Sequence, residues 1–343
     1  MFRYEAPNPY NNEGSFFSFL TSSSVSSSHK IGKLVVPAQS REPKTIGEMT
    51  LNQFAHTNGL VIQGGYVGTH DSAVLDTIEL KPKTESNSSL GNQHFIIKFN
   101  GNGMFYQDVL HDFAYDANKL NVTIIGFNYR GVGNSKKTPE TFQDLVTDGI
   151  AQVQRLLDSG IDSKKITLDG LSLGGGVATM VASHFHKIGK PVYLWNDRSF
   201  ASISKAAAGV IAPEIDNIFG ETLSTSFEYT SWSLMKPAGW DVNVAKAYNE
   251  IADEYKNHMY VAKKSALSCG DGVIAHRASL HEGVKQDEKK RGISTAHKVY
   301  AQNGFFGGGH NMSRSDLVSA ENTSLTGQDQ FENFIRNHTN YSF

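Results

Sequence analysis

A serine framed by glycines lies in the stretch DGLSLGGGVA, residues 169–178, which matches the pattern Gly-x-Ser-x-Gly. The apolar segment KKITLD runs into Gly170 without a spacer, and a helical pattern starts directly after Gly174. The chain must therefore turn sharply with Ser172 at the apex, where the hydroxyl projects outward beside a helix N-terminus that favours negative charge. We interpret Ser172 as a candidate nucleophile; the alternative is a glycine-rich turn that contains an incidental serine.

A serine nucleophile needs a base, and in this architecture the base is a histidine that follows an acidic residue in the chain. His310 lies in the loop FFGGGHNMS, after the last predicted strand HKVYAQN. Loops at the carboxyl ends of strands are where α/β sheets place their chemistry. His310 is therefore the candidate base, although a loop histidine with local hydrogen bonds is the alternative.

The candidate acid is Asp271, which lies between two glycines in the segment SCGDGVI. This tight loop follows the predicted strand HMYVAKKSA, so its aspartate is well placed to reach His310. Two alternatives stay open: Asp271 caps a helix that starts near Ala275, or Asp197, after the strand PVYLWN, is the acid instead.

Two backbone N–H groups are needed to stabilise a tetrahedral oxyanion, and each is typically worth about 3–4 kcal/mol. One candidate is Leu173, the residue after the nucleophile. The other is Asn102 in the loop FNGNGMFYQD, because the glycines beside it free the backbone to turn towards Ser172. A phosphate-binding loop is the competing interpretation, but the spacing fits neither a P-loop nor a dinucleotide fingerprint.

Composition excludes several other classes of protein. The formal charge of −2 and the pI near 6.7 argue against a nucleic-acid-binding protein and give no support for broad attachment to anionic membranes. The single cysteine, Cys269, excludes an intramolecular disulfide and a cysteine-built zinc site. No apolar run reaches transmembrane length, and MFRYEAPNPYNNEGSFF lacks the features of a Sec-type signal peptide.

The order of strand and helix patterns predicts an α/β fold: a mostly parallel central sheet with helices on both faces and an inserted cap. Strands are predicted at 72–82, 94–100, 121–131, 164–170, 191–200, 258–266 and 297–303, and helices at 139–160, 174–189 and 328–338. The domain boundaries predicted are an irregular Ser-rich extension over 1–50, with 30–39 as an edge-strand candidate, a core over 51–210 and 259–343, and a cap or lid over 211–258.

The cap segment is rich in aromatic residues, which favours an acyl chain or another apolar group as the bound part of the substrate. The candidate substrate-binding residues are Trp232, Met235 and Trp240. The alternative is that these side chains pack the cap onto the core, as most large apolar residues do.

From about Asp71 to the C-terminus the chain resembles the α/β-hydrolase superfamily, in its esterase and lipase branch. The motifs that carry the resemblance are FNGNG, IIGFNYRGVGNS, DGLSLGGGVA, GDGVI and GGGHN, in the family's order. The resemblance implies an eight-stranded, mostly parallel sheet and a serine esterase that needs no cofactor or metal. Two features depart from the family: Asn100 replaces the usual histidine before the oxyanion glycine, and the interval from Asp271 to His310 is longer.

The segment LWNDRSFASIS and the Ser-rich N-terminus are similar to the SidB-like secretion substrates and the chlamydial CHLPS family of lipase-like proteins. That similarity implies export from a bacterium and action inside a host cell. The expected function is hydrolysis of a small acyl ester or lipid. Transient contact with a membrane surface is compatible with this expectation. The alternatives are a catalytically silent binding protein, and an acyltransferase or thioesterase with the same triad.

Overall fold

The computed structural model describes most of the predicted core. The described residues are 2–5, 50–83, 93–206, 233, 235–262, 271–292, 304–306, 309–320 and 322–339. Within them, ten strands form one sheet in the order β1-β2-β3-β5-β4-β6-β7-β8-β9-β10. The strands are β1 (Phe2–Glu5), β2 (Leu60–Gly68), β3 (Val74–Pro82), β4 (Phe95–Phe99), β5 (Thr123–Phe127), β6 (Ile166–Leu171), β7 (Tyr193–Asp197), β8 (Lys256–Val261), β9 (Gly304–Phe306) and β10 (Val318–Ser319).

The central strands, from β5 through β4, β6, β7 and β8 to β9, are all parallel. On one side, β3 pairs antiparallel with both β5 and β2. At the outer edges, β1 pairs parallel with β2 and β10 pairs antiparallel with β9. Because the parallel strands end at the same edge of the sheet, the loops that follow them converge there.

Helices cover both faces of the sheet. They are α1 (Leu51–Thr57), α2 (Leu110–Leu120), α3 (Phe142–Asp158), α4 (Leu173–Lys187), α5 (Val244–Asn249), α6 (Leu280–Lys290) and α7 (Gly327–Thr339). Helices α3, α4, α5 and α6 pack side by side on one face, whereas α1, α2 and α7 lie on the other. This arrangement confirms the predicted α/β architecture.

The hydrophobic core is divided between these two faces by the two-residue period of the strands. In β4, Ile97 and Phe99 point into the cluster beneath α3 and α4, while Ile96 points into the cluster beneath α2 and α7. Strands β4 and β5 are buried along their whole length. Their continuous apolar runs follow from this two-sided burial, because neither face of these strands contacts water.

The N-terminal segment differs from the prediction at its first residues. An irregular extension is predicted over 1–50, but Phe2–Glu5 form an edge strand on β2. The Phe2 ring packs against the backbone of Gly65, which has no side chain to block it, and the Tyr4 hydroxyl donates to Asp158. The edge-strand candidate at 30–39 lies outside the described residues.

The second half of the predicted cap packs into the core in the described structure. Trp240, Val244 and Tyr248 are buried in the cluster beneath α3 and α4. Strand β8 begins at Lys256, two residues before the predicted start, where its first residues are too polar to show a strand pattern. Residues 211–232 and 234 of the cap segment, and the strand predicted at 297–303, lie outside the described residues.

Among the described residues, no helix combines the length and the apolar character that crossing a bilayer requires.

Candidate active site

The turn that carries Ser172 has a strained backbone. Ser172 has φ +55° and ψ −115° and directly precedes α4 as its N-cap, a left-handed region that residues with a Cβ seldom adopt. A Cβ at Gly170 would collide with the carbonyl of Gly174, and a Cβ at Gly174 would collide with the carbonyl of Phe99. The sharp strand–turn–helix therefore depends on both glycines.

The two candidate oxyanion donors are Leu173, directly after Ser172, and Asn102, in the loop after β4. Leu173 is the first residue of α4, so its N–H has no acceptor inside the helix. Asn102 is an exposed residue within a turn that the Met104 N–H closes by donating to the Gly101 carbonyl at 3.3 Å. The Asn102 N–H is therefore not the donor that closes this turn.

Asn100 braces the loop that contains Asn102. Its buried amide Nδ2 donates to the carbonyl oxygen of Phe127, the last residue of β5, at 3.2 Å. The superfamily resemblance leads us to expect a histidine here, but in this chain the amide ties the loop to the neighbouring strand. The loop is thus anchored despite the different side chain.

Asp271 and His310, which are far apart in the chain, come together at the same edge of the sheet. The Oδ1 atom of Asp271 lies 2.7 Å from Nδ1 of His310, and both side chains are 7% exposed. The His310 N–H also donates to the main-chain oxygen of Asp271 at 2.7 Å. The Nδ1–H direction is not aligned as a hydrogen bond in this conformation.

Asp271 stabilises its own loop rather than capping a helix. Its Oδ1 accepts the N–H groups of Val273 at 3.2 Å and Ile274 at 2.8 Å. The helix that follows, α6, is capped by the Ser279 hydroxyl, which accepts the N–H of Glu282. The loop hydrogen bonds hold the Asp271 carboxylate in place against His310.

The rival acid, Asp197, is committed to other partners. Its carboxylate accepts from Arg198 Nε at 2.6 Å and from Arg314 Nε at 2.8 Å. Burial alone would raise the pKa of Asp197, but the two guanidinium groups outweigh burial and hold that pKa well below its usual range. Asp197 is therefore a charged anchor for two arginines and not the carboxylate in contact with His310.

Asp197 ends a line of buried ion pairs that sequence reasoning missed. Arg314 bridges Asp197 and Asp169, with its Nη2 2.5 Å from Asp169 Oδ1. Lys98 lies between Asp169, at 2.6 Å, and Asp116, at 2.5 Å. The two carboxylates raise the pKa of Lys98 against the effect of its burial, so the ammonium stays charged.

A signal for this line is present in the sequence. Lys98, Asp169 and Asp197 are charged residues within or directly after apolar strand patterns, near the carboxyl ends of three neighbouring strands. Lys98 and Asp169 are register partners in β4 and β6. Charges in strands buried on both faces require partners, but their pairing depends on a strand order that the sequence does not state.

A cavity of about 590 Å³ opens beside the candidate site. Its wall includes Gly101 of the oxyanion loop, Leu171 before the nucleophile, and Asn311 after the histidine. Its lining also includes charged side chains, among them Lys98, Asp116, Asp169, Asp197, Arg198 and Arg314, and apolar ones, among them Phe99, Met104, Phe113 and Met312.

Two of the three predicted substrate-binding residues, Met235 and Trp240, do not line this cavity. Trp240 is completely buried and Met235 is 8% exposed, and both belong to the core cluster beneath α3 and α4. This placement fits the alternative in which the aromatic residues pack onto the core. Trp232 lies outside the described residues.

Comparison with known proteins bears on the fold. No protein-family model matches the sequence. Over 124 residues, 35% of this chain, it is 34% identical to a protein named "Putative alpha/beta hydrolase" from Acanthamoeba polyphaga mimivirus, and the match spans only 44% of that protein.

Solved structures that resemble the chain include the two that follow. An alpha-beta hydrolase from Vibrio vulnificus superposes with a TM-score of 0.52 at 19% identity, over 78% of this chain and 82% of that one. The Pyrococcus furiosus esterase Pf2001 gives a TM-score of 0.47 at 19% identity, over 73% of this chain and 84% of that one. The first match, with the strand order described above, shows that this chain has the α/β-hydrolase fold.

Proposed function

We propose that the protein is a serine hydrolase that cleaves carboxylic esters through a covalent acyl-enzyme. The observation that carries the proposal is the 2.7 Å contact between Asp271 Oδ1 and His310 Nδ1. It joins two loops at the edge of the sheet where the strained turn presents Ser172. The name of the mimiviral relative, a hydrolase, agrees with this chemistry.

In the proposed reaction, Ser172 Oγ attacks the ester carbonyl while His310 Nε2 takes the hydroxyl proton. Asp271 holds the imidazole by its Nδ1 side and stabilises the imidazolium that forms. The proton then passes to the departing alkoxide, which leaves as an alcohol. Water activated by His310 attacks the acyl-enzyme, and release of the carboxylic acid restores Ser172.

The oxyanion of each tetrahedral intermediate is proposed to accept hydrogen bonds from the N–H groups of Leu173 and Asn102. The α4 N-terminus adds the positive end of its helix dipole beneath the same oxygen. Such fixed donors stabilise charge that develops only in the transition state, which is why they raise kcat.

The cavity supports an ester with a short or polar acyl group over one with a long alkyl chain. Its lining includes Lys98, Asp169 and Arg314, which are charged and paired. An alkyl chain placed over these ions would displace their remaining hydration without offering hydrogen bonds, which costs free energy. The lipid substrate predicted from the cap loses support because Met235 and Trp240 are buried in the core.

The test is hydrolysis of p-nitrophenyl esters from acetate to palmitate, with a phospholipid in parallel. We expect the largest kcat/KM at acetate to butyrate, and a loss of at least about 10³-fold in Ser172→Ala and His310→Ala, because triad residues act as a unit. A His310→Ala variant with near-normal turnover would remove His310 from the reaction. A maximum at palmitate would instead restore the lipid hypothesis.

A further inference from the structure

We propose that Arg198 is a positioning residue that fixes the His310 loop and the Ser172 turn to one shared anchor. The inference rests on the proposed function, since it concerns how His310 is held relative to Ser172. The anchor consists of Asp197, the last residue of β7, and Arg198, which follows it directly.

The guanidinium of Arg198 is the first half of this anchor. Its Nη1 donates to the carbonyl oxygens of His310, at 2.9 Å, and Met312, at 2.7 Å. Its Nε and Nη2 donate to the two carboxylate oxygens of Asp197, at 2.6 Å and 3.1 Å. Hydrogen bonds from a charged donor are stronger than neutral ones, and the planar fork fixes their direction.

The backbone of Asp197 is the second half. Its carbonyl oxygen accepts the N–H of Ser172 at 2.8 Å. The same residue therefore holds the nucleophile through its main chain and Arg198 through its side chain. The path from Ser172 to His310 runs through only two intervening residues and three hydrogen-bonded contacts.

His310 is consequently held on both sides of its Cα atom. Its N–H donates to the main-chain oxygen of Asp271, and its carbonyl accepts from Arg198. Further along the loop, Arg314 is bound by Asp197 and Asp169. The backbone of this histidine cannot shift without breaking buried, charge-assisted hydrogen bonds.

The conformation of Arg198 agrees with a specialised role. It has φ +48° although it is not glycine, and such strain concentrates at functional sites where surrounding contacts enforce it. The side chain of Arg198 is 3% exposed, and that of its ion-pair partner Asp197 is 1% exposed. Arg198 also lines the cavity, but all three of its guanidinium nitrogens are engaged by protein acceptors, so we assign it a role through His310.

The experiment compares wild type, Arg198→Met and Arg198→Lys by two independent measurements. Hydrogen–deuterium exchange of residues 309–316 reports whether the loop is held, whether or not the protein is active. The rate of Ser172 labelling by a fluorophosphonate, together with kcat and KM for p-nitrophenyl acetate, reports the consequence for chemistry. Arg155→Met is the matched control, because Arg155 also pairs with a carboxylate, that of Glu79, away from this loop.

In Arg198→Met we expect faster exchange over 309–316, and labelling and kcat slower by about 10²-fold, the effect of misplacing a catalytic group by about 1 Å. KM should change much less than kcat, because the main loss is in the positioning of His310, although Met312 of the same loop also lines the cavity. Arg198→Lys should fold, and its exchange rate, labelling rate and kcat should lie between those of wild type and Arg198→Met. Lysine keeps the positive charge but lacks the planar guanidinium that donates to several acceptors. Arg155→Met should match wild type in both measurements.

The inference is overturned if exchange over 309–316 in both Arg198 variants equals that of wild type. It is also overturned if exchange is faster but the labelling rate and kcat stay within about twofold of wild type. The proposed function fails separately, if wild type is neither labelled at Ser172 nor active. Exchange over 309–316 then still decides whether Arg198 holds the loop.

Discussion

At the scale of single residues, two carboxylates compete for the role of the acid, and their surroundings separate them. Asp271 is within 2.7 Å of His310 and is otherwise bound by backbone N–H groups of its own loop. Asp197 is bound by Arg198 and Arg314 in a largely buried network. The first environment suits a group that orients an imidazole, and the second suits a structural anchor.

We therefore expect Asp271→Asn and Asp197→Asn to fail in different ways. Asp271→Asn should lower kcat by about 10⁴-fold with little loss of stability, because an amide favours the wrong histidine tautomer. Asp197→Asn should lower the free energy of unfolding by about 3–5 kcal/mol, because it leaves buried arginine charge uncompensated. Ester hydrolysis and urea denaturation of both variants check this. The opposite pattern would reassign the acid to Asp197.

At the scale of elements, β8 and α6 meet through a pair of buried histidines with no place in the proposed reaction. His258 Nε2 lies 3.1 Å from His281 Nδ1, and His258 Nδ1 lies 2.9 Å from the Tyr248 hydroxyl. Burial lowers the pKa of His258 well below its usual value and lowers that of His281 to about 3. Both rings are therefore neutral in the folded protein at neutral pH, and they lie tilted by 45° to each other between elements that flank the Asp271 loop.

This pair should make the protein sensitive to acid. Below pH 6.5 the unfolded chain binds protons that the buried rings reject, so stability falls as the pH falls from about 6.5 towards 3. In His281→Phe, the loss of unfolding free energy between pH 7 and pH 5 should be smaller than in wild type by about 2 kcal/mol. Denaturant unfolding at each pH measures it, with the exposed His56→Gln as control. Parallel pH curves for wild type and His281→Phe would contradict the expectation.

At the scale of the whole molecule, local patterns predict the centre of the sheet. Two-sided burial makes β4 and β5 continuous apolar runs, and the glycines at 170 and 174 mark the turn at Ser172 before any coordinates are known. The pairing of Asp271 with His310 also follows from loop position and chain order, because parallel strands end at one edge.

Other features depend on contacts that no local pattern contains. The edge strand Phe2–Glu5 is too short to show periodicity and is held by pairing with β2. Trp240 is part of the core because of what surrounds it, although its segment has the composition of a cap. The ion pairs of Lys98, Asp169 and Arg314 join residues distant in sequence, and they become visible only once strand order is known. The likeness to secretion substrates stays a prediction.

The central claim is that Ser172 is a nucleophile activated by His310, and covalent labelling tests it most directly. Wild type and Ser172→Ala are treated with a fluorophosphonate, and the adduct is located by mass spectrometry of peptides. We predict one phosphonyl group on Ser172 in wild type and none in Ser172→Ala. Equal labelling of both proteins would contradict the account. So would folded wild type that stays unlabelled with fluorophosphonates of several sizes.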